Sequence, residues 1–317
     1  MSQQWLAAAG VVVSLCLGAE ARAACGSAFC AVNTDWASQG EWTEPGGKLD
    51  LHYEFIDQDQ PRHGAERVDV GQVRQHHDEV RTINRNWIAQ FDYNFTPSWG
   101  VSASVPYLVR DHEHIHNHQG AQLHDVWHFS EIGDARVSGR YQFALKSEAP
   151  SALGMTLGIK LPTGSTDVTN DAGDEAERML QPGTGTTDLL ASVFYNRLIP
   201  SFGAMFMQAR IEAALNSHDQ YRPGNRYYVD LGAQYPLTSQ LSLQAQLNVV
   251  IKSRDSGENA EPEESGGYFV YLSPGVSYAF NRALQVYAFV QLPLYQYVNG
   301  VQLTSDWAVL AGASWRF

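Results

Sequence analysis

The chain has 317 residues, a formal net charge of −13, 27 glycines and 3 cysteines. An acidic balance of this size repels a phosphate backbone and excludes nucleic acid as a partner. No run of about 18 apolar residues occurs, which excludes a transmembrane helix but not β-strands, each of which crosses with about 9–11 residues.

Leu6–Gly18 is a short apolar run, and Ala21-Arg22-Ala23 is an A-x-A-type cleavage site. Residues 1–23 therefore read as a secretory signal peptide, although Met1-Ser2-Gln3-Gln4-Trp5 lacks the usual Lys or Arg. Cleavage after Ala23 removes Cys16 and leaves Cys25 and Cys30. In an exported chain that pair is a disulfide candidate, with a metal-thiolate pair as the alternative. Residues 24–47 form an N-terminal periplasmic segment. It could plug the bore or dock a periplasmic partner, and its composition leaves both open.

From residue 48 to the end, apolar residues recur at every second position. Leu49, Leu51, Tyr53 and Phe55 make the first row. Further rows run over 87–95, 99–105, 135–143, 153–161, 189–195, 205–215, 227–235, 241–251, 268–280 and 284–292. The last is Trp307, Val309, Ala311, Ala313, Trp315 and Phe317. Period-two alternation means half-buried strands, about 12 of them. Short links at 96–98, 146–152, 197–201, 236–240 and 281–282 alternate with long polar links at 58–78, 110–130, 164–186, 217–225, 253–266 and 295–305. Short turns on one side and long loops on the other mark an outer-membrane barrel. The expected fold is all-β, a transmembrane antiparallel up-and-down β-barrel over 48–317 in the outer membrane of a Gram-negative bacterium. A soluble sandwich also alternates, but it leaves the loop asymmetry and the terminal Phe317 unexplained.

The other face of each strand then lines the bore. The first strands supply Asp50, His52, Glu54 and Asp92. Middle strands supply Arg136, Arg140, Lys160, Arg210 and Glu212, with Asp134 and Asp188 nearby. Arg226, Asp230, Lys252 and Arg316 follow. Two readings stay open: opposed rows that set up a transverse field on a polar solute, or a ladder of salt bridges filling a narrow barrel.

Ten of the 11 histidines lie in or beside the expected outer links. The link 110–130 carries His112, His114, His116, His118, His124 and His128, and another carries His63, His76 and His77. Imidazole binds zinc, copper and nickel, so the six are a candidate site for Cu or Zn. A solvated loop is the alternative. The remaining long links are acidic, around Asp167–Glu177 and Asp255–Glu264. They read as solvated, or as bridging divalent ions at a lipopolysaccharide surface.

Glu131-Ile132-Gly133-Asp134 and Gly158-Ile159-Lys160-Leu161-Pro162-Thr163-Gly164 are short motifs at strand boundaries. With them the chain resembles, over most of residues 80–317, the outer-membrane barrels grouped as the transporter family of the meta-pathway of phenol degradation. The leading Gly of that family's "GxGD" start is Glu131 here. The resemblance implies an outer-membrane channel or transporter-like protein, with motif residues in structural roles. It does not extend to the histidine-rich link or the cysteine pair. The expected function is a channel for small-molecule or ion solutes, with outer-membrane lipid and lipopolysaccharide as surroundings. The alternatives are a metal-capturing barrel and a purely structural one. An enzyme is not expected: no G-x-S-x-G motif occurs.

Overall fold

The computed structural model describes residues 30–42, 44–73, 78–118, 121–146 and 149–317. The expected signal peptide, Cys25, His76 and His77 lie outside the described residues, and for His116 and His118 only the backbone is described.

Strands β1 (Gly46–Gln58), β4 (Asp78–Asn94), β5 (Trp99–His118), β6 (Ala121–Ile132), β7 (Arg136–Ala144) and β8 (Ser151–Lys160) make the first half of the wall. Strands β9 (Asp188–Ile199), β10 (Gly203–Ala214), β11 (Arg226–Pro236), β12 (Leu241–Lys252), β13 (Gly267–Ala279), β14 (Leu284–Val298) and β16 (Ala308–Arg316) complete it. All neighbours pair antiparallel in one sheet, and β4 pairs with both β1 and β5, so the sheet closes on itself. The first half of β5 pairs with β7 and its second half with β6. Strands β6 and β7 are thus one staff of the barrel, broken at Gly133–Ala135, and the ring has twelve staves. Three short strands, β2 (Gln60–His63), β3 (Glu66–Arg67) and β15 (Val301–Thr304), form a small separate sheet at the long-loop end.

Burial is inverted relative to a soluble protein. Outward residues such as Leu157 and Phe317, each 63% exposed, are apolar, while inward Asp230 and Asn248 are fully covered. A continuous apolar skin of this kind needs lipid against it. Aromatic pairs mark its two edges. At the short-turn end Trp99 lies 4.6 Å from Tyr141, and Tyr278 lies 4.9 Å from Phe280. At the other end Phe55 lies 5.5 Å from Trp307.

The link expected over 110–130 is not a loop. It continues β5 and returns as β6, a hairpin paired from Tyr107↔Ile132 to His118↔Ala121. Outward residues of β5 are apolar from Trp99 to Val109, then charged at Asp111 and Glu113, so the hairpin leaves the apolar band near residue 110. The pairing of β4 with β5 extends nearly as far, to Asp78↔Ile115. The links expected over 58–78 and 295–305 are likewise partly strand, because β2, β3 and β15 zip together above the membrane.

Candidate functional site

The bore holds two bodies and a cavity. The first body is residues 30–42, which run inside the wall rather than below it. The backbone N–H of Ala31 donates to Gln291 Oε1 at 2.6 Å, and that of Asn33 donates to Gln246 Oε1 at 2.8 Å. The Asn33 amide donates to Gln208 and, at 3.0 Å, to Asp230 Oδ2. Asn196 donates to the Ser38 carbonyl at 2.9 Å. These partners sit on inward faces of five different strands. Apolar packing adds to the amide bonds: Trp36 lies edge-on to Tyr287 at 4.8 Å, in a cluster with Val32, Phe289 and Leu310. The segment therefore lies on the β9–β16 side. Cys30 stands half-buried at its start.

The second body is the 161–187 link, which folds inward against β5 and β6. Trp127, Phe129, Ala176 and Leu180 form its apolar contact, and Trp127 Nε1 donates to the Asp174 carbonyl at 3.1 Å. Arg110 donates to the Leu180 carbonyl. The two sequence motifs meet at its root. Asp134 Oδ1 accepts from the Gly164 N–H at 3.1 Å, and Oδ2 accepts from the Thr184 N–H at 3.0 Å. Lys160 lies 3.1 Å from Asp134 and 2.8 Å from Asp188. Thr163 Oγ1 accepts from the Ala135 N–H at 2.8 Å and donates to the Gly133 carbonyl at 2.9 Å. A Cβ on Gly164 would stand 2.8 Å from Gly183 Cα and 3.0 Å from Gly133 Cα, both backbone atoms that cannot step aside. This knot breaks β6 from β7 and turns the link into the bore. Gly183 and Thr184 carry half of it. Their only sequence signal is the Gly/Thr run ahead of Asp188, which period-two reading passes over.

Between the two bodies lies a cavity of about 470 Å³. His52, Glu54, Asp92, Arg136, Arg140, Lys160 and Arg210 all line it, as the sequence expects of bore residues. Asp50 does not; it is buried beside it, holding His52 Nδ1 at 3.0 Å and accepting from Tyr287 Oη at 2.8 Å. The charges form a ladder rather than opposed rows. Lys48 pairs with Asp92 at 3.0 Å, Arg210 with Asp230 at 3.0 Å, and Lys252 with Asp255 at 3.1 Å. Glu212 takes Arg136 at 3.1 Å and Arg226 at 3.4 Å. Eight Arg and Lys side chains face the cavity against five Asp and Glu, yet Asp188, Asp230 and Asp255 stand just behind and neutralise three of the eight. The lining and the acids behind it are thus close to charge balance.

Of the hairpin's six histidines, the four whose side chains are described divide between its two faces. His124 and His128 are exposed on its outer face, His124 2.6 Å from Glu113 and His128 bonded to Asp111. His112 and His114 turn inward and are buried, with Trp127 4.7 Å from the His114 ring. The strand period separates the two sets: cross-strand partners His112↔Trp127 and His114↔Asp125 share the inner face, while Asp111↔His128 share the outer. Above the apolar band, burial and the neighbouring His114 and Arg110 push the His112 imidazole well below its usual value, so it is neutral at pH 7. Among the described residues no helix is long and apolar enough to cross a membrane.

A closed ring of twelve staves with an apolar skin and a wet bore defines an outer-membrane β-barrel. The chain belongs to the family described as the putative MetA-pathway of phenol degradation, which it matches over residues 64–305. No curated protein matches it. Among solved structures, an outer-membrane channel from Pseudomonas putida F1 is 13% identical with a TM-score of 0.66, and the match covers 86% of this chain and 96% of that one. A KdgM porin is 10% identical with a TM-score of 0.44, covering 85% and 99%. The CymD monoaromatic hydrocarbon channel is 11% identical with a TM-score of 0.45, covering 92% and 94%. The first of these shares the fold.

Proposed function

We propose that this protein is a passive, weakly selective outer-membrane channel for small polar solutes, rather than an enzyme. The observation that carries the proposal is the charged cavity enclosed by the ring and bordered by two folded-in segments. A lining of paired ions gives a solute alternative hydrogen-bond partners without a committed binding site. The shared fold with an outer-membrane channel supports the same reading. Export by residues 1–23 and lipopolysaccharide around the outer loops complete it. Purified full-length protein in planar bilayers should show discrete conductance steps, with a reversal potential near zero in a potassium chloride gradient. A barrel that folds and stays silent overturns the proposal. Glu212→Gln removes the carboxylate shared by Arg136 and Arg226, and the reversal potential should then move toward anion preference. A second reading, a barrel that associates with metal, is favoured by the inward pair His112 and His114.

A further inference from the structure

We propose that Glu79, His112 and His114 form a buried site for one divalent transition-metal ion, of the zinc or cobalt class, just above the membrane between β4 and β5. It refines the metal-associated reading and stands apart from conduction, because the site is not part of the cavity lining.

Four observations carry it. One ligand atom from each of the three residues lies within 4.8 Å of the others, and all three residues are buried. His112 Nε2 is 3.2 Å from His114 Nδ1 and 3.5 Å from Glu79 Oε2. A tetrahedral ion with ligands at about 2.0–2.1 Å sets neighbouring donor atoms about 3.3 Å apart, so both spacings fit around one centre. Of the nitrogens turned away from the cluster, His112 Nδ1 is hydrogen-bonded to Thr82 Oγ1 at 2.8 Å, and His114 Nε2 stands 3.8 Å from Asp125 Oδ2, within ion-pair but not hydrogen-bond range. A metal-bound imidazole characteristically donates its other N–H to such an oxygen, which orients the ring and fixes its tautomer. With Nδ1–H donated to Thr82, His112 Nε2 turns its lone pair toward His114 Nδ1 and Glu79 Oε2, and one cation can be shared by the three donor atoms.

The site is local in register and distant in sequence. Asp78↔Ile115 and Glu79↔His114 pair across β4 and β5, which brings the acid to the histidines. Two imidazoles and one carboxylate fill three positions and leave the fourth for water. The outer histidines are separate: His124 and His128 face the other way and are engaged by Glu113 and Asp111.

Cobalt titration of the purified full-length barrel tests this directly. Wild type should take up one tightly held Co²⁺ with the intense visible bands of a four-coordinate ion, displaced by Zn²⁺. His114→Gln and Glu79→Gln should abolish those bands, while His124→Ala with His128→Ala should leave them unchanged. Should the buried variants fail to fold, as read by heat-modifiable gel mobility, Thr82→Val and Asp125→Asn decide instead, with a loss of about 10–100-fold in affinity. A wild type without four-coordinate bands overturns the proposal. So do bands that survive Glu79→Gln, or bands lost with His124 and His128. A silent bilayer with intact cobalt bands would sink the channel and leave the site standing.

Discussion

The two bodies inside the bore are held by different chemistry. Residues 30–42 are tied to the wall by amide hydrogen bonds, one of them to the Asp230 carboxylate, and by Trp36 against Tyr287 and Phe289. The 161–187 link is tied by a buried acid and lysine, Asp134 and Lys160, beside two glycines in backbone contact. Amide bonds contribute about 0.5–1.5 kcal/mol each and leave satisfied partners when the segment withdraws into water. Breaking a buried ion pair strands a charge and costs about 3–5 kcal/mol. The 161–187 link is therefore the more firmly anchored of the two.

The comparison can be broken at its strongest point by deleting residues 30–42. Single-channel conductance should rise several-fold with the barrel still folded; unchanged conductance means the segment does not obstruct the path. Asp134→Ala should lower stability by ~3 kcal/mol in urea unfolding from lipid vesicles, since Lys160 keeps Asp188 but the Gly164 and Thr184 N–H groups lose their acceptor. Equal stability to wild type would remove the knot from the wall. Asn33→Ala should cost about 1–3 kcal/mol of segment docking, because Gln208 Oε1 and Asp230 Oδ2 each lose a donor. Protease cleavage within 30–42 should rise while the unfolding midpoint of the barrel stays put, and an effect that vanishes in high salt would contradict the amide account. The smallest effect belongs outside both bodies: Arg81→Ala breaks an exposed pair with Asp57 and should change stability by about 0–1 kcal/mol. A larger loss would mean that surface ions carry the barrel as much as buried ones do.

The wall itself was legible residue by residue. Each of the twelve apolar rows falls on one stave of the ring, because a strand's two faces are set by adjacent residues and lipid demands one unbroken apolar face. The bore faces follow by parity; of the thirteen titratable residues read onto them, Asp50, Asp230 and Arg316 stand outside the cavity lining. Polarity, however, does not distinguish a loop from a strand that has left the membrane: His112–His118 and His124–His128 look like a solvated link and form a hairpin.

What the sequence determined alone is the alternation, the lipid-facing skin and the number of staves, since all three are written in neighbours two residues apart. The tertiary structure alone decided that residues 30–42 enter the bore, that Asp134 meets Lys160 and Thr184, and that Glu79 reaches His112 and His114. Those contacts need distances near 3 Å between residues far apart in the chain. Only the closure and register of the ring set such distances.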